Sequence, residues 1–407
     1  MNGMEKIEAA FSKEGTPEIP VVMPYTHIFI RDHWEELTQQ PWYSIFSPDI
    51  NEQIKWIKEA TLSIGQDWFN LPVGYNKKEA EYFSIIKEGE KISILDSRDG
   101  SKKFFFRPRI RGESETMGRG LGQDKIPYSI EEFDQWFEIF EKNKPELVLQ
   151  WFEMAKNFNI VKESAWFDKN DDEKESLFKD NFLLPQLILK DWGNAFFPLG
   201  RIVGPLWYSF NVWGFDETMT LLIDNSELVH YACKKFTEHA FKIIDISSII
   251  GTKGIWIEDL LTEMISPEHF KTFNLNYLQE ITSEIRSKKM YSIHYFCGNP
   301  YKKWELLKNT GADGLALEES KKGFTTDIEE VSAIINKKMA ILGNLDPVSI
   351  VEKGSSQDLR SEIVKQMRAA RKNNGKFIMS TGSPITPDTP LSRIHEYIEI
   401  SRSLGKI

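Results

Sequence analysis

The sequence predicts a (β/α)8 TIM barrel, an α/β fold of eight parallel strands each followed by a helix. Three observations predict it. Eight short apolar runs recur, at 20–25, 68–73, 200–206, 254–257, 291–295, 314–317, 339–343 and 377–380. From residue 200 their starts lie roughly 25 to 55 residues apart, the rhythm of βα units. Amphipathic stretches of helical period fill the gaps between them. A doubly wound sheet is disfavoured, because no G-x-G-x-x-G follows the first run.

Taken in order, the first run leads to His27, Arg31 and His33, which read either as binders of a polar substrate group or as surface residues at a helix start. After the second run, residues 76–198 break the rhythm and read as an insertion within a single barrel spanning 1–407. Segments 81–86, 91–95 and 103–107 read as an antiparallel meander. Asp99-Gly100 supplies hairpin chemistry between the last two. Segments 129–158 and 173–182 read as helices, and the insertion reads either as a cover over the barrel mouth or as a spacer packed elsewhere. Gly118-Arg119-Gly120-Leu121-Gly122 has no strand before it, so it reads as a mobile loop rather than a phosphate cradle. Further on, 224–249 and 267–288 are long periodic helices, the second opened by Ser266 as cap and Pro267 at the first position. Segments 302–310 and 359–373 end at Gly311 and Asn374-Gly375, ordinary helix terminators.

Composition bounds the function. The 407 residues carry 41% hydrophobic and 28% charged residues, enough for a large core. A net charge of −10 argues against nucleic acid or an anionic membrane as partner. Two cysteines exclude a disulfide framework and fit a reducing cytoplasm. The N-terminus lacks the apolar stretch of a signal peptide. No window holds the roughly 20 apolar residues of a membrane span. Aromatic residues reach 13%, which suits a pocket for a flat organic substrate.

In a barrel the strand ends on one face converge on one site. After the fourth run come Glu258 and Asp259; at the fifth, His294 and Cys297; after the sixth, Glu318 and Glu319. Asn344 and Asp346 follow the seventh, and Thr381, Gly382 and Ser383 the eighth. Imidazole, thiolate and carboxylate are zinc donors, so His294, Cys297 and Glu318 read as a three-ligand Zn2+ site with one open position. Glu258 and Asp259 are expected to support that site by hydrogen bonding, and Asn344 and Asp346 to complete the catalytic ring. Cys233, His230, His239, His269 and His395 read as structural or exposed.

The last half of the chain resembles the uroporphyrinogen decarboxylase superfamily, including its zinc-dependent, corrinoid-linked methyltransferases. The resemblance rests on Gly204-Pro205-Leu206 through Asp224, and on Glu258 through Ser266-Pro267. It continues in His294 to Asn299 with Gly311-Ala312-Asp313-Gly314 and Glu318. It ends in Gly343-Asn344-Leu345-Asp346-Pro347 with Ile385-Thr386-Pro387-Asp388-Thr389-Pro390. It implies a barrel and a His and Cys after the fifth strand as zinc ligands. It also implies a glutamate after the sixth strand, where Glu318 stands. The sequence departs from the family pattern twice. His294 and Cys297 are separated by two residues rather than one, and Ser383 stands about where some relatives have a second cysteine.

The resemblance leaves several reactions. Porphyrin decarboxylation is disfavoured, because 25–34 holds one arginine where the decarboxylases carry an arginine-rich motif. The missing second cysteine and the aromatic content favour demethylation. The expectation is a zinc-dependent methyltransferase. It would move a methyl group from a small-molecule aryl methyl ether to the Co(I) of cobalamin, carried by a partner corrinoid protein. The alternatives are a methylcobamide:thiol methyltransferase and a non-catalytic barrel that binds a corrinoid protein or ligand.

Overall fold

Seven short parallel strands, buried along almost their whole length, build the frame of the computed structural model, which describes residues 1–75, 80–89, 91–105, 107, 126–143, 182–320 and 323–407. They are β1 (Trp68–Asn70), β5 (Phe197–Val203), β6 (Gly254–Asp259), β7 (Tyr291–Phe296), β8 (Gly314–Leu317), β9 (Ala340–Leu342) and β10 (Phe377–Ile378), hydrogen-bonded in that order. Residues 20–23 fill the eighth position. Met379 N donates to Pro20 O and Val22 N to Met379 O, both at 2.9 Å, while Asp67 N reaches Val21 O at 2.9 Å. The ring is thereby closed, and all eight apolar runs of the sequence are strand positions of one α/β barrel.

Because side chains alternate across a strand, each run feeds two layers. Trp68, Leu199, Trp256, Ile293, Tyr295, Ala316, Leu342 and Ile378 pack together inside the barrel. Ile257, Phe296, Leu315, Leu317, Ile341 and Phe377 pack outward against the helices. The helix Gly3–Phe11 plugs the lower end. Its Met4, Ile7, Ala10 and Phe11 join the inner layer, and Phe11 stacks on Tyr291 at 4.9 Å. Asn2 caps it reciprocally with Glu5.

The long helices arise where expected, as Ser226–Ile249 and Ser356–Lys372. The stretch expected as one helix over 267–288 is divided. Ser266 caps it and Pro267 opens it, but a π-helical turn, Lys271–Leu275, separates Pro267–Phe270 from Asn276–Ser287.

The expected meander forms as β2 (Phe83–Glu88), β3 (Lys91–Asp96) and β4 (Lys102–Phe105), antiparallel, with Gly100 at φ +73 in the turn. The helix Ile130–Asn143 lays Phe133, Trp136, Phe137 and Phe140 against Phe236 of Ser226–Ile249, on the outside of the barrel. This part of 76–198 packs on an outer helix rather than over the mouth. The Gly118–Gly122 loop and the helical expectations over 144–158 and 173–181 lie outside the described residues.

Candidate active site at the barrel mouth

The upper end of the barrel interior has an aromatic floor. Trp256 and Tyr295 are neighbours on β6 and β7 and stack at 5.0 Å. Tyr25 stands edge-on to both, at 6.0 and 5.8 Å, and Trp68 meets Trp256 edge-on at 6.0 Å. Tyr25 holds φ +55, a left-handed backbone uncommon for a bulky residue, at the turn where residues 20–23 give way to the helix Thr26–Asp32. Strained backbone of this kind concentrates at functional sites.

Charge sits on this floor. Arg201 of β5 and Glu258 of β6 point inward by strand parity and form an ion pair. Tyr25 OH donates to Glu258 Oε1 at 2.7 Å, and the Arg201 guanidinium lies 5.2 Å from the centre of the Tyr25 ring. Together with His27 and Asn70, Tyr25, Arg201, Trp68 and Trp256 line a cavity of about 300 Å³, part of it open to solvent. Burial pushes the Tyr25 hydroxyl well above the ordinary phenol range, only partly countered by Arg201. Burial, with Arg201 and Arg31 nearby, drives His27 well below the ordinary imidazole range, so it is neutral at pH 7. Burial also raises the Tyr295 hydroxyl. Cys297 packs against the same inner layer, and Glu318 is buried just past the end of β8. Glu319 is buried beside them and accepts from Ser383 Oγ at 2.8 Å.

The three residues expected to bind zinc do not come together here. His294 lies within β7, whereas Cys297, three residues on, stands just past the end of that strand. Cys297 follows Ile293 and Tyr295 inward. His294 goes outward with Phe296, is fully buried there, and its Nε2 lies 3.0 Å from Asp259 Oδ2. Asn274 Nδ2, from the π-helical turn, donates to the same oxygen at 2.8 Å. Among the described residues no three His, Cys, Asp or Glu side chains converge to hold a metal ion. The set His294, Cys297 and Glu318 therefore does not fit zinc.

Four other expected site residues have structural work instead. Asn344 is buried and bonds Glu318 O, Thr326 O and the Gln366 amide, tying loops together. Asp346 caps Pro347–Glu352 by accepting from Val348 N and Ser349 N, each at 2.8 Å. Arg31 pairs with the adjacent Asp32 at 2.8 Å. His33 stacks on Phe29 at 4.1 Å and bonds Glu36 at 2.9 Å. His27 does line the cavity, and Glu258 bonds Tyr25 and Arg201, which line it. The residues missed were Tyr25, Arg201, Trp256 and Tyr295. The signal for Arg201 was a lone charge inside an apolar run.

The family model described as uroporphyrinogen decarboxylase (URO-D) matches residues 185–404, more than half of the chain. Among curated relatives, the uroporphyrinogen decarboxylase of Vesicomyosocius okutanii is 22% identical over 193 residues, covering 47% of this chain and 54% of the relative. That of Wigglesworthia glossinidia brevipalpis is 26% identical over 195 residues, covering 47% and 52%. The chain thus spans about half the length of the curated relatives it matches. Among solved structures, a methyltransferase from Methanosarcina mazei superposes with a TM-score of 0.61 over 99% of both chains at 14% identity, a likeness of fold. No described helix is long and apolar enough to cross a membrane. With β5 through β10 inside the matched segment, the chain belongs to the uroporphyrinogen decarboxylase (URO-D) family.

Proposed function

We propose that this barrel is a methyltransferase that takes a methyl group from an aryl methyl ether and passes it to a corrinoid protein. The observation that carries the reading is the buried Arg201–Glu258–Tyr25 network set directly on an aromatic floor. A methoxylated ring would lie on Trp256 and Tyr295, where flat apolar surface is buried. A Co(I) corrinoid on the partner would supply the nucleophile that accepts the methyl group. As the C–O bond breaks, its electron pair stays on the oxygen. Arg201 is placed to stabilise that growing negative charge, and burial strengthens the interaction. Glu258 orients both Arg201 and Tyr25. Tyr25 stays protonated, and its one O–H is given to Glu258. No step runs through zinc, because His294 faces the other layer. The fold shared with a methyltransferase over the whole chain supports the reading.

A second reading, decarboxylation, is favoured by the curated relatives. Arg201 would then hold a substrate carboxylate, with Glu258 orienting it as before. One experiment separates the two. The purified protein is incubated with a methoxybenzene and a Co(I) corrinoid protein, and cobalt methylation is followed by absorbance. Methylation is expected, and Arg201→Leu should lower kcat about 100-fold, as for loss of one charge-stabilising donor. No methylation from any aryl ether, with CO2 release from a porphyrinogen, would move the assignment to decarboxylation. Activity with a thiol and methylcobalamin would move it to thiol methylation.

A further inference from the structure

Behind the mouth, on the other side of the same two strands, lies a second polar cluster. Asp259 and His294 face outward from β6 and β7, and Asn274 reaches them from the π-helical turn Lys271–Leu275. All three residues are fully buried in a layer that includes Ile257, Phe270, Phe273 and Phe296. The Asp259 carboxylate only accepts, so His294 donates through Nε2. Its Nδ1 has no hydrogen-bond partner among the described residues. Packing stability does not account for such a cluster, since apolar residues of similar volume commonly stabilise a buried layer as well or better. Single-turn π segments often mark functional places in helices.

The cluster is wired to the mouth through the backbone. Ile257 pairs with His294 and Glu258 with Tyr295, so each outward residue adjoins an inward one of the site. Cys297 N donates to Asp259 O at 3.2 Å, and Gly204 N donates to Glu258 O at 2.8 Å. The exits of β5, β6 and β7 are therefore held in one frame. They carry Arg201, Glu258, Tyr295 and Cys297.

We infer that His294, Asp259 and Asn274 are positioning residues, a hydrogen-bonded brace that sets the mouth residues from behind the sheet. This role replaces metal ligation for His294, and it holds whichever methyl donor the mouth takes. The chain's own cysteines give a readout that needs no known substrate. Cys233 is buried and its thiol is pushed up to about 12, whereas Cys297 is half-buried at the mouth. Iodoacetamide at pH 8 should label Cys297 alone, with mass spectrometry reporting the rate.

In His294→Leu and in Asn274→Leu that rate should change about 2- to 30-fold, the range of coupling through packed networks. His294→Gln keeps an N–H for Asp259 and should restore the native rate. Circular dichroism and melting of each variant show whether it is folded. If His294→Leu fails to fold, Asn274→Leu and His294→Gln carry the test. Folded leucine variants that label at the native rate would overturn the inference. So would a folded His294→Gln that fails to restore it. Stoichiometric zinc in the reduced native protein, lost in His294→Gln, would equally overturn it and return His294 to the metal. None of these readouts depends on methyl transfer, so failure of the brace and failure of the proposed reaction are distinguishable.

Discussion

Arg201 and Glu258 show what a buried charge pair demands of its neighbours. The glutamate is buried, the arginine is mostly covered, and Tyr25 satisfies a further lone pair. Removing one partner leaves the other charge stranded, which typically costs about 3–5 kcal/mol. Arg201→Leu should therefore lower the free energy of unfolding by that amount in urea titrations. The double variant Arg201→Leu/Glu258→Leu should recover much of the loss. Equal stability of the single variant and the native protein would mean that the pair is not formed. At this scale the sequence was only half legible. Arg201 stands inside an apolar strand run, but attention to residues after the strand ends passes over it. The period-2 rule already separated His294 from Tyr295. What the rule cannot supply is the partner across the strand, Asp259, because register depends on pairing between runs 30 or so residues apart.

The helix Ile130–Asn143 tests the same logic one level up. Its aromatic face packs on Ser226–Ile249, and its polar edge is fixed by Glu141, which bonds Lys242 at 2.6 Å and His239 at 3.3 Å. Burial alone would raise the Glu141 carboxyl, but the hydrogen bonds from His239 and Lys242 outweigh it and hold it at about 2, against 4.5 ordinarily. The unfolded chain therefore binds this proton more readily than the folded one. The stabilisation is complete above the ordinary value and disappears as pH falls through about 2. Glu141→Gln should cost about 1 kcal/mol at pH 7, allowing for solvent screening. The gap between the variant and native protein should narrow steadily in urea titrations at pH 4 and 3. A gap unchanged across that range would assign the effect to packing instead. Elements of this kind were readable from period and caps, as with Ser266 and Pro267. The π turn was not, because an extra residue in a helix leaves the apolar pattern almost intact. The helix Gly3–Phe11 was legible in principle, from Met4, Ile7 and Phe11 and the Asn2–Glu5 cap.

For the molecule as a whole, one carboxylate adds side-chain bonds to the backbone bonds that close the ring. Asp67 Oδ2 accepts from Val21 N at 2.7 Å, while its other oxygen lies 3.5 Å from Lys6 and 3.2 Å from Arg402. It joins the closing segment, the lower plug and the helix Leu391–Leu404. Asp67→Ala should cost about 2–3 kcal/mol, the range for hydrogen bonds to a charged group. Asp67→Asn, which keeps an acceptor, should cost less. Equal losses in both, measured by urea unfolding, would show that charge rather than the bond to Val21 carries the effect. The eight runs made this architecture legible, because each strand position needs only a few consecutive apolar residues. The closing bonds themselves were not, since they join residues at opposite ends of the chain. That has a consequence during translation. Residues 20–23 leave the ribosome early, yet the strand they lean on is completed only when Met379 has been made. At ordinary elongation rates of about 5–20 residues per second, a bare valine-rich edge waits roughly 20 to 70 s for its partner.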